Sequence, residues 1–203
     1  CFNGAGVTDA DGTFLHEVIL EEEYARRVIS SCRSRDIHVH LFLEDQLLYE
    51  RVRPEIQLYE AQVGLQGTVV DFDQINLHHV LKVLCIAERK QLEALSEELD
   101  GYLEGKVYKT FSMIHYLEVM NRKVSKAVGL EAVCRVLGLE RHHIAAFGDG
   151  DNDIDMLTYA GLGVAMGNAS PRAQAASDAV ALTNDEDGLA RFLEDFFSLP
   201  AYE

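Results

Sequence analysis

The sequence predicts an α/β protein: a doubly wound, parallel-sheet core of Rossmann-like type, interrupted by an inserted α+β module. Three observations predict it. From Tyr116 onward, short apolar runs alternate with amphipathic segments, the pattern of a parallel sheet with helical crossovers. Between Ile37 and Met113 strands and helices are mixed instead, beginning with a hairpin. One apolar run, Ile144-Ala145-Ala146-Phe147, ends in the glycine- and acid-rich turn Gly148-Asp149-Gly150-Asp151-Asn152-Asp153. Ligands of open α/β sheets collect at such carboxyl ends of strands. The expected division is residues 1–33 with 116–203 in the core and 36–113 in the inserted module.

In chain order, Cys1 to Leu20 reads as a β-hairpin turning at Asp9-Ala10-Asp11-Gly12, since Asp-x-Asp-Gly supplies local side-chain hydrogen bonds and a permissive glycine. Glu21 to Cys32 reads as a helix, with acids in its first turn and Arg26 and Arg27 later, as the macrodipole favours. Ile37 to Leu43 and Gln46 to Glu50 form a hairpin, and Pro54 to Val63 a helix. Val80 to Ala87 is a strand, Glu88 to Tyr102 a helix with Leu92, Leu95, Leu99 and Tyr102 on one face, and Val107 to Met113 the closing strand. His38 and His40 share a strand face; unpartnered strand histidines are more often structural than metal-binding. In the core, Tyr116 to Val119 and Ile144 to Phe147 are strands flanking a Val124 to Leu137 helix. The helix after Asp153, strands at Leu162 to Met166 and Asp178 to Leu182, a helix after Pro171 and one over Glu186 to Phe197 complete it.

The turn after Phe147 carries the chemistry. Asp149, Asp151, Asp153 and Asp155 put four carboxylates into seven residues. Carboxylates packed at a strand tip repel one another unless a cation sits among them, and such an oxygen-rich set suits a hard ion such as Mg²⁺. An EF-hand fails on register: counted from Asp149, its sixth and twelfth positions are Ile154 and Ala160, where glycine and glutamate belong.

The run Gly148-Asp149-Gly150-Asp151-Asn152-Asp153, followed by Met156-Leu157, resembles the fourth motif of the haloacid-dehalogenase-like phosphohydrolases, and Ala160 to Ala169 is similar to their Cof-type subfamily. Ser125-Lys126 resembles the third motif, although Lys123 and Ala127 stand where the family tends to have glycine. P-type ATPases share the fourth motif's core, but no run here approaches the ~20 apolar residues of a membrane helix. The resemblance implies a core with an inserted cap and a Mg²⁺-dependent phosphatase of small phosphorylated metabolites, such as sugar phosphates or nucleotides. It implies Asp149 and Asp153 as metal residues, Lys126 beside the phosphate, Asn152 against the transferring phosphoryl group or substrate, and Asn168 lining the site. An aspartate nucleophile forms an aspartyl-phosphate in this family, and an aspartate two residues on acts as general acid.

Asp9-Ala10-Asp11-Gly12-Thr13 matches that nucleophile motif by letter, making Asp9 and Asp11 candidates. The residues before it, Asn3-Gly4-Ala5-Gly6-Val7-Thr8, are too glycine-rich for a buried central strand, so the hairpin is the expected role. Asn3-Gly4-Ala5 itself resembles the Cof-type segment just ahead of the cap. On this reading the first two motifs belong upstream, and the chain is expected to lack its amino-terminal part, nucleophile and general acid included. The alternative is a non-catalytic remnant that binds metal or partners, with exposed sheet edges open to self-association.

The chain's 203 residues carry 34 acids against 18 lysines and arginines, a net charge of −16, which disfavours nucleic acid and anionic membrane surfaces as partners. Cys1, Cys32, Cys85 and Cys134 are widely spaced with no CxxC pair, as expected of free thiols in a reducing cytoplasm.

Overall fold

The computed structural model describes residues 1–198. Its contacts gather into two compact units, Cys1–Val124 and Ser125 onward.

The first unit opens with a short antiparallel hairpin of β1 (Gly6–Thr8) and β2 (Phe14–Glu17), turning where Asp9 Oδ1 accepts from the amides of Asp11 and Thr13 at 3.0 and 2.9 Å. Helix α1 (Glu22–Ser34) follows, then β3 (His38–Leu43) and β4 (Gln46–Tyr49). Helix α2 (Pro54–Val63) starts on a proline with φ preset for the first turn and stops at Gly64, whose φ of 70° favours glycine. Strand β5 (Thr68–Val69), β6 (Val80–Ile86), α3 (Arg89–Leu103), β7 (Val107–Met113) and β8 (Tyr116–Asn121) complete the unit. Six strands form one sheet in the order β5-β4-β3-β6-β8-β7, antiparallel except for the β4–β5 pair.

Strand periodicity gives this sheet two different faces. Val39, Leu41, Val83, Cys85, Leu117 and Val119 meet Ala25, Val28, Ile29 and Cys32 of α1 and Leu92, Leu95 and Leu99 of α3 in the main core. On the other face, His38, His40 and Phe42 alternate with those residues, and Phe42, Tyr49 and Leu84 pack with Ile56 and Tyr59 of α2. Two charges are buried on this second face. Lys82 Nζ lies 3.2 Å from Glu118 Oε1 and 4.8 Å from the Phe42 ring centroid. Glu118 also accepts from Ser112 Oγ at 2.8 Å and Asn3 Nδ2 at 2.6 Å, so the pair is embedded in further hydrogen bonds, as a buried charge requires.

The second unit is built on a three-stranded parallel sheet. Helix α4 (Lys126–Leu137) leads to β9 (Ala145–Gly148), then α5 (Ile154–Tyr159), β10 (Leu162–Ala165), α6 (Pro171–Ala175), β11 (Ala179–Val180) and α7 (Gly188–Phe197). The order is β11-β10-β9, with a helix in each crossover, which is the parallel α/β pattern expected. Gly163 lets β10 lie against Leu157 of α5: a Cβ there would collide with the Leu157 carbonyl.

Three segments group differently from expectation, the first being the β1–β2 hairpin, which falls in the first unit. Tyr116–Asn121 does not open the parallel core; it pairs antiparallel with β6 and β7. Helix α1, expected with the core, buries its apolar face on the six-stranded sheet with α3. The contact division therefore falls at Val124, not at residues 33–36 and 113–116. The two-residue β5 carried no sequence signal, because both of its residues are exposed.

His38 and His40 are buried, with His38 Nε2 3.3 Å from His40 Nδ1, and His40 Nε2 has no hydrogen-bond partner among the described residues. Burial pushes His38 down to about 4, against a pull from Glu55 and with a push from Arg53. Burial also drives His40 well below the ordinary value, helped by His38 and Lys82. Tyr49 and Tyr59 rings flank the pair. Both imidazoles are neutral when folded and free to take a proton when unfolded. Stability is thus fully present above the ordinary imidazole value of 6.5 and is lost as pH falls toward about 4, by roughly 3 kcal/mol for His38. A far-UV circular dichroism titration in urea should follow that loss, and the His38→Leu/His40→Leu double variant should flatten it.

Candidate active site

Strand β9 ends at Gly148, whose carbonyl accepts from Met166 N at 2.9 Å and fixes the strand tip to the loop after β10. A Cβ on Gly148 would sit 2.5 Å from the Cβ of Asp153, so only glycine lets the loop fold back over the strand end. Asp151–Asp153 forms a single 3-10 turn, with Asp153 N donating to Gly150 O at 3.0 Å, and α5 follows at once.

That turn buries Asp153, which is 3 % exposed. Its Oδ2 accepts from the amides of Asp149 at 3.0 Å and Gly150 at 2.9 Å, and its Oδ1 is ion-paired with Lys126 Nζ. Burial alone would raise the Asp153 carboxyl; the Lys126 ammonium and the two amides outweigh it and hold the group below its ordinary value. Lys126 begins α4, where Ser125 caps the helix by accepting from Val128 N at 3.3 Å. A lysine at that point stands on the positive end of the helix, where an anion is favoured.

The other acids have separate fates. Asp149 is exposed, its carboxylate is engaged with no other described residue, and its backbone is held on both sides: N–H by Asp153, carbonyl by Ser170 N at 2.9 Å. Asp151 accepts from Ser170 Oγ at 2.5 Å and Arg172 Nη1 at 2.8 Å, and these contacts hold its carboxyl below the ordinary value. Asn152 is half-buried and folds its Oδ1 over Gly150, where any Cβ would clash.

Contacts of one loop and of the start of α4 join four of the expected site residues. Lys126, Asp149, Asn152 and Asp153 belong to one local constellation. Asn168 is exposed, and its Oδ1 accepts from Asn184 N at 3.0 Å, anchoring the turn before α7. Asp9 and Asp11 belong to the hairpin turn of the first unit, where the Asp9 carboxylate serves backbone amides. Ser170 and Arg172 were not singled out by sequence; the Ser-Pro helix start at 170–171 was the one available hint.

Mg²⁺ takes near-octahedral oxygen ligation with several waters retained. Among the described residues no group of three or more histidine, cysteine or acidic side chains converges as a cage. The exposed Asp149 carboxylate fits an ion that needs one or two protein oxygens, while Asp153, engaged by Lys126 and two amides, stands behind it and fits the ion or its waters.

The parallel α/β unit thus carries a lysine-paired acid and an exposed acid at one strand tip. The chain belongs to the haloacid dehalogenase-like hydrolases, whose family model matches residues 1–193. An HMP-PP phosphatase from Yersinia pseudotuberculosis is 29% identical over 200 residues, covering 98% of this chain and 73% of that protein. A haloacid dehalogenase-like hydrolase from Bacteroides thetaiotaomicron superposes with a TM-score of 0.84 at 29% identity, covering 96% of this chain and 74% of that one. A HAD subclass IIB sugar phosphatase has the same fold, at 20% identity and a TM-score of 0.83, covering 98% of this chain and 74% of that one.

The two aspartates should separate in their effects. Asp153→Asn removes the charge that holds Lys126 and the loop amides, and should lower unfolding stability in urea by about 1–3 kcal/mol. Asp149→Asn touches no side-chain contact among the described residues and should leave unfolding stability within about 0.5 kcal/mol of the parent.

Proposed function

We propose that the chain carries the metal- and phosphate-holding part of a Mg²⁺-dependent phosphatase, one that hydrolyses small phosphorylated metabolites through an aspartyl-phosphate. The observation that carries this reading is the Lys126–Asp153 ion pair beneath the exposed Asp149. Lys126 offers a cation beside the positive end of α4, fit to hold a phosphoryl oxygen in a chain whose net charge is −16. Asp153 holds that lysine and the Asp149 and Gly150 amides, and Asn152 supplies an amide side chain at the same loop for the substrate. Asp149 would hold the Mg²⁺, which would supply charge neutralisation for the transferring group. The relatives support the substrate class, since one is named for HMP-PP and another for sugar phosphates.

A second reading, a metal- or partner-binding chain without turnover, is favoured by one observation. Asp149 is assigned to the metal, Asp153 to Lys126 and Asp9 to its own turn, so none of the three is placed as the nucleophile. In-line attack needs a carboxylate about 3–3.5 Å from phosphorus. β9 is paired on one side only among the described strands, and that edge is where self-association would occur.

Two measurements test these readings. In Mg²⁺ titrations, Asp149→Asn should weaken binding far more than Asp151→Asn; equal losses would count against Asp149 as the metal carboxylate. Assayed with p-nitrophenyl phosphate, sugar phosphates and nucleotides at high protein concentration, the 203-residue chain should show no Mg²⁺-dependent turnover. Turnover abolished by Asp9→Asn would restore Asp9 as the nucleophile.

A further inference from the structure

We infer that Ser170, together with Asp151 and Arg172, is a positioning clamp that sets the Asp149 carboxylate for its cation, a role that rests on the metal reading above. Ser170 makes two contacts to the Asp149 loop and one that caps its own helix. Its backbone N–H donates to Asp149 O at 2.9 Å, its Oγ donates to Asp151 Oδ1 at 2.5 Å, and the same Oγ accepts from Ala173 N at 3.1 Å. Arg172 Nη1 closes the group by donating to Asp151 Oδ2 at 2.8 Å.

The consequence is geometric. Among the described residues none engages the Asp149 carboxylate, so what the chain fixes is the Asp149 backbone, from which the side chain departs. On one side that backbone is fixed by the buried Asp153 carboxylate through the Asp149 N–H. On the other it is fixed by Ser170 N–H, whose place depends on the hydroxyl being shared between the cap of α6 and Asp151. Asp151 thus serves Asp149 as a tether, and its charge is matched by Arg172, which keeps a second free carboxylate from competing for the ion. A cation held by few protein oxygens is sensitive to such support, because outer contacts that orient a ligand alter metal affinity about 10–100-fold.

The test is Mg²⁺ affinity, read by displacement of Mn²⁺ in water-proton relaxation, on the full chain below its melting transition. Ser170→Ala and Asp151→Leu should each weaken Mg²⁺ by about tenfold, and Ser170→Thr, which keeps the hydroxyl, should restore it. Asp151→Asn, which keeps an oxygen for Ser170, should lose much less. Thermal melting of each variant separates this from a loss of fold: a destabilised variant with parental affinity overturns the clamp. So does unchanged affinity in Ser170→Ala and Asp151→Leu when Asp149→Asn weakens binding. If Asp149→Asn itself leaves binding unchanged, the metal reading and the clamp fall together.

Discussion

The burial of the Asp153 carboxylate is the constraint on which the second unit depends. A charge taken out of water is costly unless it is paired and hydrogen-bonded, and here the partners are Lys126 and two amides of the same loop. Satisfying that one group dictates the rest. The loop must double back, which requires glycine at 148; the turn of Asp151–Asp153 must be tight; and the start of α4 must present its first residue to the tip of β9. The site is a by-product of solving an electrostatic problem, and Asp149 is left exposed because its backbone, not its side chain, is used in the solution.

The first unit solves a different problem. Its sheet is covered by α1 and α3 on one face with aliphatic side chains, and that face behaves as an ordinary core. The opposite face holds aromatic rings, two neutral imidazoles and the Lys82–Glu118 pair. Polar groups in such a place confer little net stability, yet each narrows the arrangements the chain can adopt. The left-handed backbone at Asn3, with φ of 54°, is held in part by its hydrogen bond to Glu118.

Much of this was legible in the sequence, for physical reasons that differ by element. Helix α2 announced both ends, through Pro54 and Gly64, and the acid-rich turn after Phe147 announced a strand tip. What could not be read was pairing. In Tyr116–Asn121, Leu117 and Val119 alternate with Glu118 and Met120, a pattern that serves an antiparallel sheet as well as a parallel one, and the choice was made by β6 and β7. The apolar stripe of α1 would likewise fit any sheet, and only packing against Leu92 and Leu95 assigns it. In the site, spacing named Lys126 and Asp153, but the ion pair joins residues 27 apart in sequence. Asp151 read as one acid among four; its partners Ser170 and Arg172 lie a strand and a helix further on.

The Lys82–Glu118 pair also shapes how this sheet can diverge. Each residue is nearly sealed from water, so replacing one alone strands a buried charge at a cost of about 3–5 kcal/mol, while replacing both with apolar side chains of similar volume is close to neutral. The two positions, on β6 and β8, are thereby bound into one inherited unit. Lineages leaving the pair must cross a poorly folding intermediate or change both codons together, and the surrounding aliphatic positions are free to drift singly.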